Sequence, residues 1–91
     1  MERGFHMRLD KFLKVSRIIK RRTVAAEAAD GGRIMINGKL AKPSSAVKEG
    51  DILEVTFGTH TARYEILQVM ESAGKAQAAE MVRLISQEDR P

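Results

Sequence analysis

Seven basic residues stand within fifteen positions near the start of the chain: Arg8, Lys11, Lys14, Arg17, Lys20, Arg21 and Arg22. Asp10 is the only acid among them, so residues 8–22 carry a local charge of +6. Guanidinium and ammonium groups at this density are suited to neutralising phosphate oxygens, and arginine adds forked hydrogen bonds. The 91 residues together have a net charge of +4, and residues 23–91, with eight bases against ten acids, are slightly acidic. A chain made basic only for solubility would spread its charge. The concentration in one stretch favours a polyanionic partner, nucleic acid first.

Two helices are expected to position these groups. At 100° per residue, Leu9, Phe12, Leu13 and Ser16 share one face, with Lys11, Lys14 and Arg17 on the other, which predicts a helix from about Arg8 to Ser16. Asp10 lies four residues before Lys14, a spacing that suits a helical ion pair. A second helix is predicted near Arg21 to Asp30, with Val24, Ala25, Ala28 and Ala29 on its buried side and Gly31-Gly32 ending it. Arg21 and Arg22 then fall at a helix N-terminus, where the dipole disfavours cations by about 0.3–1 kcal/mol each. Free N–H groups and guanidinium forks converge on one anion at such an end, and Arg8, placed in the first turn of helix 1, is expected to repeat the arrangement. A local conflict between stability and charge marks a functional surface.

The period changes to two after Gly32. Arg33 to Gly38 alternates around Ile34 and Ile36, Asn37-Gly38 signals a tight hairpin turn, and Lys39 to Lys42 continues it. Ile52 to Phe57 and Thr61 to Val69 read as a strand and its return, separated by Gly58-Thr59-His60. Ala78, Met81, Val82 and Ile85 recur at helical spacing, which predicts a closing helix over Ala76 to Gln87. The expectation is an α+β fold, two N-terminal helices packed on a small antiparallel sheet with a C-terminal helix. Its parts are an extension over residues 1–7, a main unit over 8–70, and a helix and tail over 71–91. The composition of MERGFH suggests an upstream addition, with Met7 the native start.

Other chemistries find little support. There are no cysteines, which excludes disulfides and thiolate metal sites. His6 and His60 are far apart and have no ligand-like spacing, so no metal and no cofactor is expected. Ser44, Ser45 and Lys75 lack a base and an orienting partner, and the chain reads as a non-enzyme. No apolar run approaches the ~18–20 residues of a membrane span. Neither is there a signal-peptide core, so a cytoplasmic location is expected. Leu9, Phe12 and Leu13 are needed inside so small a domain, which argues against membrane-surface binding. Aromatic residues are 4% of the chain, and Phe12, Phe57 and Tyr64 fall in core-like patterns. Recognition should therefore go by backbone and shape, as for structured RNA, rather than by base stacking. Arg33, Lys39 and Lys42 are candidates for extending the basic face along the first hairpin.

RLDKFL, then SR, then a basic helix ending in GGRIMINGK, then KPSSAVKEGD resembles the S4-like RNA-binding domain, or alpha-L motif, over about Arg8 to Phe57. Among its stand-alone members, KVSRIIKRRT and AAEMV are most similar to the RqcP group of bacterial ribosome-associated quality control. The resemblance implies a monomeric factor on stalled large ribosomal subunits, contacting 23S-type rRNA and peptidyl-tRNA. It also implies support for C-terminal alanine tailing by an RqcH-like partner. Arg8 and Arg22 become the first candidates for phosphate contacts, supported by Lys11, Lys14, Arg17, Lys20 and Arg21, with Asp10 orienting its basic neighbours. MERGFH departs from the pattern, close to the expected RNA face. The alternatives are a heat-shock S4-like protein recycling large subunits with nascent chains, a general structured-RNA-binding module, a detached piece of an RNA-modifying enzyme, or a DNA-binding module. The heat-shock group tends to have tryptophan in helix 1 and a longer basic tail. A major-groove reader would need more base-reading Asn or Gln on helix 2.

Overall fold

A computed structural model of the chain describes residues 6–89. The elements run β1 (Met7–Arg8), α1 (Leu9–Val15), α2 (Arg22–Asp30), β2 (Ile34–Ile36), β3 (Lys39–Leu40), β4 (Ala46–Val47), β5 (Ile52–Phe57), β6 (His60–Ile66), α3 (Lys75–Ala79) and β7 (Val82–Asp89). Five of the strands form one antiparallel sheet in the order β3-β2-β5-β6-β7, and β1 pairs with β4 apart from it. The α+β architecture expected from the sequence is present. Residues 1–5 of the expected extension lie outside the described residues, while Met7 is buried and pairs with Val47.

The apolar face of α1 forms the centre of the core: Leu9, Phe12 and Leu13 have no exposure. They meet Ala25, Ala28 and Ala29 of α2, whose small side chains let the two helices approach closely, and Ile34, Leu53, Val55 and Ile66 of the sheet. Val24, predicted on the buried side of α2, is instead exposed, because three alanines already fill that contact. The C-terminus of α2 is a Schellman turn. Gly32 takes the left-handed conformation at φ 77°, its N–H donates to Ala29 O at 3.1 Å, and Arg33 N–H donates to Ala28 O at 3.0 Å.

Asn37 and Gly38 both have positive φ, 51° and 84°, as a tight β2–β3 hairpin turn requires. The Asn37 amide also ties this turn to β5, donating to Asp51 Oδ1 at 3.0 Å and accepting from Ile52 N–H at 2.9 Å. Asp51 is buried and takes two further donors from Lys48, its N–H at 3.0 Å and its Nζ at 3.1 Å.

The closing helix is a correction. Only Lys75–Ala79 is helical, and Val82–Asp89 is an edge strand hydrogen-bonded along β6. Ala78 and Met81 are buried at the start of the predicted apolar stripe, but Ile85 is 45% exposed at a bulge opposite Arg63 and Tyr64. The open edge of β6 offers unpaired N–H and C=O groups, and β-branched Val82 and Ile85 fit a strand at least as well as a helix. Tertiary pairing outweighs the weak helical period. Phe57, expected in the core, is 44% exposed at the sheet's end.

Asp51→Ala is expected to destabilise the fold by about 1–3 kcal/mol, because it strands donors on Asn37 and Lys48. Urea denaturation should show a lower midpoint with an unchanged slope.

Candidate nucleic-acid interface

The start of α1 is built around one carboxylate. Asp10 is 4% exposed. Arg8 reaches it with a fork, Nε to Oδ1 at 3.2 Å and Nη2 to Oδ2 at 3.1 Å. Arg22 Nη2 arrives from the first turn of α2 at 3.3 Å, and the Lys11 N–H closes on Oδ1 at 2.7 Å. Asp10 thus pins two guanidiniums side by side and holds the N-terminal ends of both helices together. Their side chains remain 54% and 46% exposed. Each guanidinium has five donors, so most of both forks still faces solvent.

Asp10 does not pair with Lys14, the partner its spacing suggested. A bidentate, charge-assisted fork from Arg8 is stronger than an exposed ammonium contact across one turn. The two helix starts also differ from the sequence expectation. Arg8 is not in the first turn of α1 but precedes it in an extended conformation, φ −62° and ψ 142°. The N–H groups of that turn are already taken: Leu9 donates to Ser45 O at 2.7 Å, Asp10 to Pro43 O at 3.1 Å, and Lys11 to Asp10. The anion at α1 is therefore the protein's own Asp10. At α2 the arrangement differs, because Arg21 is an extended N-cap, no side chain caps the helix, and its first turn has no acid.

An open groove of about 550 Å³ runs beside this clasp. It is lined by Lys11, Lys14, Arg17, Lys20 and Arg22 together with Val15, Glu71, Ser72 and Ala73. Five of the seven predicted bases are thus brought to one concavity. Arg8 joins it through Asp10, and Arg21 is exposed at the α2 N-cap without lining it. Arg33, Lys39 and Lys42 are exposed but lie outside the groove lining. Lys42 sits in the turn whose Pro43 and Ser45 carbonyls cap α1, and its N–H donates to Ser45 Oγ at 2.9 Å. Sequence reasoning missed Glu71, which forms an ion pair with Lys11. A single acid between Met70 and Ser72, sixty residues from its partner, carries no local signal of that contact.

The electrostatics are asymmetric. On the outer sheet face Arg63 bridges Glu54 and Glu88, and Arg83 pairs with Glu65. Lys14, Arg17, Lys20 and Arg21 have no acidic partner among the described residues. One surface is internally neutralised while the other keeps its positive charge. No cluster of His, Asp and Glu fit to hold a metal occurs among the described residues, and no described helix is long and apolar enough to cross a membrane.

A family model described as the S4 domain matches residues 7–53. The chain is 54% identical to the RQC P-site tRNA stabilizing factor of Listeria monocytogenes, covering 90% of this chain and 89% of that one. It is 52% identical to the protein of the same name from Bacillus subtilis, covering 90% and 95%. Among solved structures, the trimeric structure of Vibrio cholerae Heat Shock Protein 15 is similar with a TM-score of 0.82, at 29% identity over 90% of this chain and 84% of that one.

Burial raises the Asp10 pKa, but the Arg8 fork, the Lys11 N–H and the Arg22 charge outweigh it and hold the carboxyl below the ordinary aspartate range. A carboxyl that titrates lower when folded contributes stability above its unfolded value of about 3.9 and loses it as pH falls through the folded value. Asp10→Asn should therefore melt below wild type at pH 7. The gap should close as both proteins are acidified below about pH 4, as followed by circular dichroism melts across pH.

Proposed function

The chain belongs to the S4 domain family, and from that membership and its groove we propose that it is an RNA-binding factor of ribosome-associated quality control that steadies tRNA on the large subunit. The observation that carries this is the convergence of Lys11, Lys14, Arg17, Lys20 and Arg22 on one concavity whose acids are outnumbered. Such a surface engages phosphates by charge and shape, with the paired forks of Arg8 and Arg22 fixing where the backbone sits. The names of the Listeria and Bacillus relatives support tRNA in the P site as the ligand.

In this proposal the protein carries out no chemistry. It contributes a rigid basic surface that contacts 23S-type rRNA and peptidyl-tRNA together, so that leaving either one breaks contacts to both. An RqcH-like factor would then add the alanine tail to the steadied tRNA in the cytoplasm. The proposed factor acts as a monomer.

A second reading comes from the likeness to Heat Shock Protein 15, namely recycling of large subunits that carry nascent chains. The absence of tryptophan favours the first. The two differ in whether binding depends on tRNA in the P site.

Arg22→Ala should lower co-sedimentation with tRNA-bearing large subunits by about tenfold at fixed salt, the loss of a charge-assisted contact, while the circular dichroism spectrum stays that of the wild type. Undiminished association would contradict the proposal. Subunits stripped of tRNA should bind more weakly than loaded ones, and equal binding would favour the recycling reading.

A further inference from the structure

Two acids meet the bases at the groove, and they differ in kind. Asp10 is buried beneath Arg8 and Arg22 and fixes both. Glu71 is open to solvent, with 65% of its side chain exposed, and pairs with Lys11 from the loop between β6 and α3. That loop is anchored. Val69 is buried, Met70 and Ala73 pack against the core, and the Leu67 and Gln68 N–H groups donate to Met81 O at 2.7 Å and 3.2 Å. Anchors before and after Glu71 thus set its carboxylate in the groove lining.

Stability does not account for this pair. An ion pair so open to water adds little to folding once side-chain ordering and salt screening are counted. It does change what Lys11 offers a ligand. Lys14, Arg17 and Lys20 have no acidic partner among the described residues, and a phosphate reaching them meets a free cation. A phosphate reaching Lys11 must displace a carboxylate already there, and then lies beside a like charge. The exchange also cancels in counterions. The phosphate releases one and the freed Glu71 takes one up, so Lys11 adds little to salt-dependent affinity while Glu71 holds it. Glu71 is a competitor for phosphate carried by the protein itself.

We propose that Glu71 is a specificity-determining residue, which withholds Lys11 from loosely bound polyanions and so turns the groove toward folded RNA. The proposal rests on the RNA-binding reading above. A flexible strand can bring a phosphate to every cation it passes, and its affinity grows with the number of free cations. A folded RNA presents phosphates only where its shape puts them, and docks by complementarity to the groove. Withholding one cation therefore weakens the flexible strand more than the folded one. The selectivity comes from a repulsive element rather than from an added contact.

Fluorescence anisotropy across a salt series tests this with two labelled probes of equal length, a tRNA transcript and a polyuridine strand. Glu71→Gln should tighten polyuridine about tenfold and steepen its log–log salt slope by about 0.7, the single-strand increment for one more phosphate contact. The transcript should tighten only about twofold, so the preference for it falls about fivefold. Adding Lys11→Ala to Glu71→Gln should abolish the polyuridine gain, because Lys11 supplies it. The melting temperature of Glu71→Gln should stay within about 4 °C of wild type, as loss of an exposed pair allows. A far larger drop would make the pair structural and overturn the proposal. Polyuridine bound no more tightly by Glu71→Gln, or both probes tightened alike, would overturn it too. If Arg22→Ala still weakens the transcript in that case, the RNA-binding reading stands; if Arg22→Ala also binds as wild type, that reading falls as well.

Discussion

One buried carboxylate makes the basic surface possible. Seven cations within fifteen residues repel one another, and packing α1 against α2 brings them closer still. Asp10 sits beneath them, accepts from Arg8, Arg22 and the Lys11 backbone, and is itself shielded from water. Its charge lowers the cost of juxtaposing two guanidiniums, and its hydrogen bonds give each a defined direction. Removing either arginine would leave Asp10 with the other and with the backbone N–H. Removing Asp10 leaves two arginines facing one another with no anion between them.

The rest of the molecule serves to hold that arrangement still. The β1–β4 pair and the Pro43–Ser45 carbonyls fix the start of α1, and the alanines of α2 set how near Arg22 can come. The sheet behind is locally consistent: alternating Leu53 and Val55 face inward, and its outer charges cancel across strands. Departures from local consistency collect on the groove side. There α2 begins with cations and no cap, and an arginine occupies a position suited to glycine. Proteins concentrate such conflicts where they bind, and here they lie on one surface.

Much of this was legible in the sequence, because it is written in local pattern. The faces of α1, the Asn37-Gly38 turn and the β5–β6 return each follow from spacing within a few residues. The clustering of the bases was legible for the same reason. What failed depended on distant partners. Val82 to Asp89 became a strand because β6 had an open edge, and no local period reports on an edge twenty residues away. Asp10 chose Arg8 and Arg22 over Lys14 because of where β1 and α2 bring those forks. Glu71 reached Lys11 only through the fold. Arg17's conformation was likewise hidden, since nothing in SRII announces a positive φ.

In the proposed complex, RNA phosphates occupy the groove between the α1–α2 turn and Glu71. Backbone amide chemical shifts, followed by NMR while the protein is titrated with tRNA, test it most directly. Perturbations are expected to concentrate at Lys11, Lys14 and Arg17 to Thr23, extending to Glu71 and Ser72, with little change along β7. Perturbations centred on β7 and the outer sheet face, with the α1–α2 turn silent, would contradict it.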